Sequence, residues 1–472
     1  MNRTEYKKIS AEDVLFFQKT IGRNNVSVDP MVREEHGRDE TEDLLYPPEL
    51  VLMPQTTRHV SEIMKYCWAE NISVTPRGAG TGLSGGAIPV FGGISLSVRR
   101  MNQIIDIDTR NFQVIAEPGV ITEELQNAVR EKGLFYPVDP ASKGSCFIGG
   151  NVAQNSGGPR AVKYGVVKDY VLNLEVVLPG GEIIETGANV LKNSTGYNLT
   201  QLMVGSEGTL GVITKIVLKL LPHPKMNKLL LVPFHHATDA ARAVVEIMRA
   251  GLSPSALEFM DRDSIELSLK YSDSRPFELE GYIQAHLLIE VDGNKSDEID
   301  GEMEAIYEIV EKFPCGEMLF AASEAEKEAL WKIRRTAGEA VKRHSVYKEE
   351  DTVVPRYHLP ELLQFVKKLG SEFGFRSACY GHAGDGNLHV NIMKEGMADK
   401  KWKEELTVAI RQLFIRVKEL GGTISGEHGI GWVQKDYMDE VFSETELNLQ
   451  RGIKGVFDPK GILNPGKILP DE

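Results

Sequence analysis

The sequence predicts an α+β protein of more than one domain. Its 472 residues exceed what a single hydrophobic core organises, so two to four domains are expected. Pro76-Arg77-Gly78-Ala79-Gly80-Thr81-Gly82-Leu83-Ser84-Gly85-Gly86-Ala87 holds five glycines between a strand and another strand, with the helix upstream. Further on, short apolar runs around a helical stretch give a β-α-β-β rhythm, that of an antiparallel sheet with helices on one face.

Residues 1–50 read as helix and loop, with Val14, Leu15 and Phe17 apolar, ending near Pro47-Pro48. Leu50-Val51-Leu52-Met53-Pro54 is a short strand. Val60, Ile63, Met64 and Cys67 recur at helical spacing, with Thr56 or Thr57 as N-cap candidate, and Ile72 to Thr75 reads as a strand. Gly80-Thr81-Gly82-Leu83-Ser84-Gly85 satisfies the G-x-G-x-x-G dinucleotide pattern, but such a loop opens a helix. This one runs into Ile88–Gly93 and the alternating Ile94-Ser95-Leu96-Ser97-Val98. Its missing Cβ atoms let the backbone take positive φ and turn N–H groups towards an anion. The functional reading is a phosphate-holding loop; the plain one is a tight connection.

Ile104–Asp108 and Phe112–Val120 read as adjacent strands, and the helix Thr122–Lys132 has Glu123 and Glu124 where carboxylates suit the helix dipole. A second glycine-rich region runs from Pro137 to Asn151 and on through Asn155-Ser156-Gly157-Gly158. Leu172–Leu178, the turn Pro179-Gly180-Gly181 and Glu182-Ile183-Ile184 make a hairpin. Gly205-Ser206-Glu207-Gly208-Thr209-Leu210-Gly211 is the third glycine-rich segment and feeds the strand Val212–Leu220. Three such segments in about 140 residues exceed what turns require and suit a long, bent cofactor. Pro222-His223-Pro224 marks a boundary. Leu229–Val232, a helix Thr238–Ala250, Ala256–Phe259, Ala285–Val291 and a helix near Glu302–Lys312 follow, with residues 273–280 and 292–300 as loops.

With 42% hydrophobic and 26% charged residues the composition is that of an ordinary globular protein. A net charge of −14 argues against broad nucleic-acid binding, which needs a basic face. Cys67, Cys146, Cys315 and Cys379 stand far apart, with no C-x-x-C pair for zinc or an iron–sulfur cluster, and read as reduced, buried thiols. No apolar leader follows Met1–Lys8 and no run reaches the roughly 20 residues of a membrane span, so the expected location is cytoplasmic.

The strongest chemical signal is Gly381-His382-Ala383-Gly384-Asp385-Gly386-Asn387-Leu388-His389-Val390-Asn391-Ile392. On a strand His389 and Asn391 share one face, and the glycine-softened turn can bring His382 back beside His389. Two histidines and a distant carboxylate leave an open coordination position, as in a catalytic metal site. The carboxylate candidate is Glu427 in Gly426-Glu427-His428-Gly429-Ile430-Gly431. Hydrogen-bonded core histidines and a turn aspartate at Asp385 are the plain reading of the same residues.

Taken together, from about Pro47 to Lys467 these motifs resemble, in order, the FAD-binding oxidoreductases of the vanillyl-alcohol oxidase type. Within them the match is to the branch of D-lactate dehydrogenase, D-2-hydroxyglutarate dehydrogenase and the glycolate oxidase D-subunit. The resemblance implies a two-part FAD-binding domain of that (PCMH) type over residues 1–222, an antiparallel-sheet substrate (cap) domain over 223–420, and a C-terminal helical segment, 421–472, returning to the flavin. It assigns Pro76, Arg77, Gly78, Ala79, Gly80, Thr81, Gly82 and Leu83 to the FAD pyrophosphate. Asp139, Ser145, Gly149, Gly150, Asn155, Glu207, Gly208 and Ile213 fall to the rest of the cofactor. Asn464, in Phe457-Asp458-Pro459-Lys460-Gly461-Ile462-Leu463-Asn464-Pro465-Gly466-Lys467, is assigned to the isoalloxazine edge, with a cofactor-free Pro/Gly loop as the alternative. No histidine lies between Arg77 and Ala87, so FAD is expected to be non-covalent.

The same resemblance gives His382, His389 and Glu427 a divalent metal, commonly zinc, and makes His428 the catalytic base, with Asn391 in the catalytic set. Trp331-Lys332-Ile333-Arg334-Arg335 on a helix and Tyr347-Lys348-Glu349-Glu350-Asp351 on an extended segment read by themselves as solvated charge runs. The family pattern turns Arg334 and Lys348 into carboxylate ligands, although Glu349-Glu350-Asp351 departs from the tyrosine and aspartate usual after that lysine. The implied reaction is oxidation of a small D-2-hydroxy acid (D-lactate, glycolate or D-2-hydroxyglutarate type) to the 2-oxo acid, with hydride passing to flavin N5. Electrons would pass on to a quinone, an electron-transfer flavoprotein or an iron–sulfur subunit. The alternative is a catalytic flavin subunit of a multi-subunit glycolate or lactate oxidase with an iron–sulfur partner. A homodimer is compatible with the sequence; nucleic acid is not an expected partner.

Overall fold

A helix–strand–glycine loop–strand order directs the first part of the fold. The structure, a computed structural model, describes residues 5–471, so Met1–Thr4 of the leader reading and Glu472 lie outside the described residues. Two compact units divide the chain. The first takes the described residues up to Ser156, Val166–His223 and Glu427 onward; the second takes Gly157–Gly165 and Pro224–Gly426.

In the first unit the helix Thr57–Glu70 starts at Thr56, whose hydroxyl accepts the His59 N–H, and stops at Asn71 in the left-handed region (φ 54°). Its Val60, Ile63, Met64 and Cys67 pack against Leu50, Leu52, Val74 and Ile94. Strand Ile94–Ser97 pairs in parallel with both Leu50–Leu52 and Val74–Arg77, and Val26–Ser27 adds antiparallel to Leu50–Leu52. The glycine loop therefore leaves the carboxyl end of a parallel strand, where open α/β sheets bind ligands. The C-terminal segment lies along the same strand: Val74 N–H donates to Ile462 C=O at 2.8 Å and Asn464 N–H to Val74 C=O at 2.7 Å.

A five-stranded antiparallel sheet completes this unit, in the order Ile104–Asp108, Gln113–Ala116, Val212–Lys219, Val171–Val177, Ile183–Glu185. The helices Thr122–Arg130 and Ile148–Gln154 bury Leu125, Val129, Ile148 and Val152 in its core, around the fully buried Tyr136.

The second unit is built on a seven-stranded antiparallel sheet. Its order is Leu319–Phe320, Met226–Phe234, Ala285–Gly293, Ala256–Asp261, Arg376–His382, Asn387–Met393, Tyr347–Val353. Helices cover both faces rather than the one expected. Helix Glu324–His344 packs Trp331, Ile333, Ala337 and Val341 on the face of Met260, Tyr380 and Ala378. Helix Leu359–Phe373 covers the other: Lys367 Nζ reaches Asp261 Oδ2 at 2.8 Å and Ser377 Oγ at 3.3 Å. Covered on both sides, the strand Asn387–Met393 is buried at every residue, its polar Asn387, His389 and Asn391 included. Residues 296–300, expected as loop, begin the helix Ser296–Val310, whose Asp297 and Glu298 suit its positive end.

Candidate active site

The first unit holds a cavity into which all three glycine-rich segments open. Pro76 to Leu83 line one wall, Gly149 and Gly150 a second, and Glu207, Gly208 and Ile213 a third, with Glu427 and His428 also at the wall. Close backbone approach explains the glycines. A Cβ on Gly149 would stand 2.5 Å from the Pro118 ring, whereas one on Gly78 would only touch Gly150 Cα at 3.5 Å. Gly80 (φ 78°) passes over the Arg77 guanidinium, whose N–H groups donate to the carbonyls of Arg38 (2.6 Å) and Glu35 (3.3 Å). Arg77 thus braces the loop from behind, while Gly82 and Gly150 have open space where a Cβ would sit.

The remaining expected cofactor residues are not among the lining residues. Asp139 pairs with Lys143 at 2.8 Å, and the residues between them, Pro140 to Ser142, line the cavity. The Ser145 hydroxyl donates to Ser142 C=O, and Asn155, the left-handed cap of Ile148–Gln154, accepts the Lys168 N–H. Asn464 is 1% exposed; its Nδ2 donates to Gly86 C=O at 3.0 Å and Glu207 C=O at 2.7 Å, joining the first and third glycine segments.

The second unit gathers polar side chains on the sheet face beneath helix Glu324–His344. Cross-strand register pairs Glu258 with His382, Tyr380 with His389, His389 with Asp351 and Asn391 with Glu349, and paired residues share a face. The rings of His382 and His389 lie 5.5 Å apart and nearly perpendicular. Glu258 Oε1 accepts from His382 Nδ1 at 2.8 Å, which puts the ring proton on Nδ1 and makes Nε2 the basic nitrogen. Its other oxygen pairs with Arg334 at 2.7 Å. Burial raises the Glu258 carboxyl, but His382 and Arg334 outweigh it and hold it below the ordinary glutamate value. Arg334 stacks on Tyr380 at 4.9 Å, and its Nε is buried without a hydrogen-bond partner among the described residues.

Asp351 supports the neighbouring strand end. It accepts from Asn387 Nδ2 at 2.6 Å and from the Gly426 N–H at 2.8 Å, so it fixes the residue that precedes Glu427 in the chain. Asn391 is fully buried on the histidine face. Lys348 is not on it: its register partner is Ile392, and the pleat turns Glu349 towards the histidines in its place. Glu349 Oε1 lies 3.5 Å from His389 Nδ1 and 3.5 Å from the Tyr380 hydroxyl.

Residues 48–187 match the FAD binding domain family, and residues 223–468 match the FAD linked oxidases, C-terminal domain family. The chain belongs to the FAD-linked oxidases. A D-lactate dehydrogenase of Anaerostipes hadrus is 39% identical, over 99% of this chain and 99% of its own. The glycolate oxidase subunit GlcD of Bacillus subtilis is 39% identical over 91% of each chain. A D-2-hydroxyglutarate dehydrogenase of Xanthomonas citri pv. viticola is 33% identical over 97% of this chain and 96% of its own. Among solved structures, p-cresol methylhydroxylase with substrate bound aligns at a TM-score of 0.80 and 17% identity, covering 99% of this chain and 98% of that one. The 4-ethylphenol oxidase of Gulosibacter chungangensis aligns at 0.77 and 19%, covering 99% of each. Those two likenesses are of fold, and the fold is the PCMH type.

In this FAD-linked oxidase the cavity suits FAD on its own chemistry. Gln154, at the wall, has a buried Oε1 with no partner among the described residues, an acceptor for a ligand N–H or O–H. Glycines without a Cβ leave backbone N–H groups open to an anion such as the pyrophosphate. The sequence reading did not single out Gln154, Glu258 or Asp351. A glutamine in a short helix, a lone acid amid apolar residues at Glu258 and one of several charges in the run that holds Asp351 carry no spacing signal, and only the sheet register brings the acids to the histidines.

Proposed function

We propose that this FAD-linked oxidase converts a small D-2-hydroxy acid to its 2-oxo acid. The observation that carries the reading is the buried histidine pair with its Glu258–Arg334 support, in a chain whose relatives are named for D-lactate, glycolate and D-2-hydroxyglutarate. FAD, held non-covalently by the glycine segments, supplies the two-electron hydride acceptor. The donor set of two imidazoles and a carboxylate suits a divalent metal, zinc as the expected ion, which supplies Lewis-acid polarisation of the hydroxyl. His382 and His389 would hold it through their imidazoles, with Glu427 as third ligand.

The chain's own part is binding and proton handling. Arg334 offers its unpartnered Nε–H to the substrate carboxylate, and Glu258 keeps that guanidinium from swinging away. His428 takes the hydroxyl proton on an imidazole nitrogen, acting as general base. Asn391 lies on the same buried face as the histidines and serves to orient the substrate. Lys348, turned to the opposite face, has no part in this scheme.

Anaerobic titration of the yellow protein with D-lactate, glycolate and D-2-hydroxyglutarate, each chiral acid beside its L form, tests this. At least one D or achiral acid bleaches the flavin and yields the 2-oxo acid stoichiometrically; bleaching by none contradicts the substrate class. The GlcD relative is named as a subunit, which favours a second reading in which this chain passes electrons to an iron–sulfur partner. A partner carrying iron–sulfur absorbance that co-purifies from the native host decides for it.

A further inference from the structure

The loop that carries His428 is held within the first unit by the walls of the cofactor cavity. Glu427–Gly431 has no helix or strand of its own. Ser84, from the first glycine segment, donates its hydroxyl to His428 C=O at 3.0 Å and accepts the Trp432 N–H at 2.8 Å. Ile468 N–H reaches Gly431 C=O at 2.9 Å. The largest hold comes from Glu207 of the third glycine segment. One carboxylate oxygen accepts the Ile430 N–H at 2.7 Å and the other the Gly431 N–H at 2.8 Å.

Glu207 is itself tightly fixed. It is 6% exposed and sits at φ 51°, in the left-handed region that non-glycine residues seldom occupy. Its N–H donates to Ala153 C=O at 2.8 Å and its C=O accepts Asn464 Nδ2 at 2.7 Å. The loop approaches so closely that a Cβ on Gly429 (φ 78°) would stand 2.8 Å from Glu207 Oε1 and 2.2 Å from Gln154 Oε1. Burial pushes the Glu207 carboxyl up to about 7, against the pull of the two amides and of Lys467.

We propose that Glu207 is a positioning residue: its carboxylate, gripping the amides of Ile430 and Gly431, sets where the loop presents His428. The resemblance assigns Glu207 to the cofactor, but both of its side-chain oxygens are engaged by the loop. The proposal rests on the reading that His428 takes the substrate proton. A buried carboxylate bonded to two N–H groups makes stronger, charge-assisted hydrogen bonds than a neutral acceptor. Glutamine keeps the shape but turns an NH2 against one of the amides, so one bond is lost and a donor is left facing a donor. A base displaced by about 1 Å loses on the order of 10²-fold in rate.

The test compares wild type, Glu207→Gln and Gly429→Ala as FAD-loaded full chains. D-lactate serves as the reductant in anaerobic stopped flow, and amide exchange is followed at residues 430 and 431. Expected in both variants are full FAD content, exchange at those amides accelerated at least about tenfold and a limiting bleaching rate lowered about 10–100-fold. Half-saturation by D-lactate should change by less than about twofold. Wild-type bleaching despite accelerated exchange overturns the proposal, and so does a rate loss that follows FAD loss. Should Glu207→Gln fail to fold, Gly429→Ala decides alone, since it displaces the loop and leaves the carboxylate in place. Should both fail, unprotected amides at Ile430 and Gly431 in the wild-type holoprotein overturn the proposal and protected ones support it. If D-lactate does not reduce the wild type, whichever of glycolate and D-2-hydroxyglutarate does takes its place; if none does, the functional reading fails, while amide exchange in Glu207→Gln still decides whether the grip exists.

Discussion

His428→Ala is expected to lower the rate of flavin bleaching by a 2-hydroxy acid about 10²–10⁴-fold, the usual contribution of a positioned general base. The loop should survive the change. Main-chain anchors remain in the variant: the carbonyl of residue 428 to Ser84, the amides of Ile430 and Gly431 to Glu207, and the carbonyl of Gly431 to Ile468. FAD content and melting temperature should therefore stay near wild type while the rate collapses. Stopped-flow absorbance at the flavin band, read beside a thermal melt, checks both at once. An unchanged bleaching rate would remove His428 from the chemistry.

Glu258→Ala is expected to act on stability and on metal affinity together. The carboxylate is fully buried between His382 and Arg334, and removing it leaves a buried guanidinium without its counter-charge. Breaking a buried pair from one side costs about 3–5 kcal/mol, visible as a lower denaturation midpoint. Losing the carboxylate behind His382, the proposed metal ligand, is expected to weaken zinc binding about 10–100-fold, which calorimetry reads independently of activity. Glu258→Gln separates the two effects. The amide oxygen can still accept from His382 Nδ1, so affinity recovers in part, but the uncompensated Arg334 still costs stability. Wild-type affinity and stability in Glu258→Ala would make the residue a bystander.

Part of this site was open to reading in the sequence and part was not, for a physical reason. Glycine clusters announce close approach whatever their neighbours are, so the cavity segments from Pro76 to Leu83 and at Gly149, Gly150, Gly208 were visible in one dimension. The alternation His389-Val390-Asn391-Ile392 fixes a shared face by the pleat alone, and the structure has that strand. Register between strands is different, since it depends on contacts far apart in sequence. Glu258 lies 124 residues from the histidine it supports, inside an apolar strand where nothing marks it. A register mismatch of one position also decides Lys348 against Glu349: each stands in the same charged run, and only the pairing with Ile392 and Asn391 tells which one faces the histidines. The two-sided burial of the seven-stranded sheet was equally hidden, because helices such as Leu359–Phe373 are recognised by what they cover.

Hydride removal from C2 of a D-2-hydroxy acid is the claim on which the whole account stands. Its most direct measurement is anaerobic stopped-flow reduction by D-lactate beside D-lactate deuterated at C2. The account predicts bleaching that is markedly slower with the deuterated acid and that is accompanied by pyruvate. Equal rates for both isotopologues would place the rate-limiting bond cleavage elsewhere, and a flavin that stays oxidised with D-lactate, glycolate and D-2-hydroxyglutarate alike would contradict the account outright.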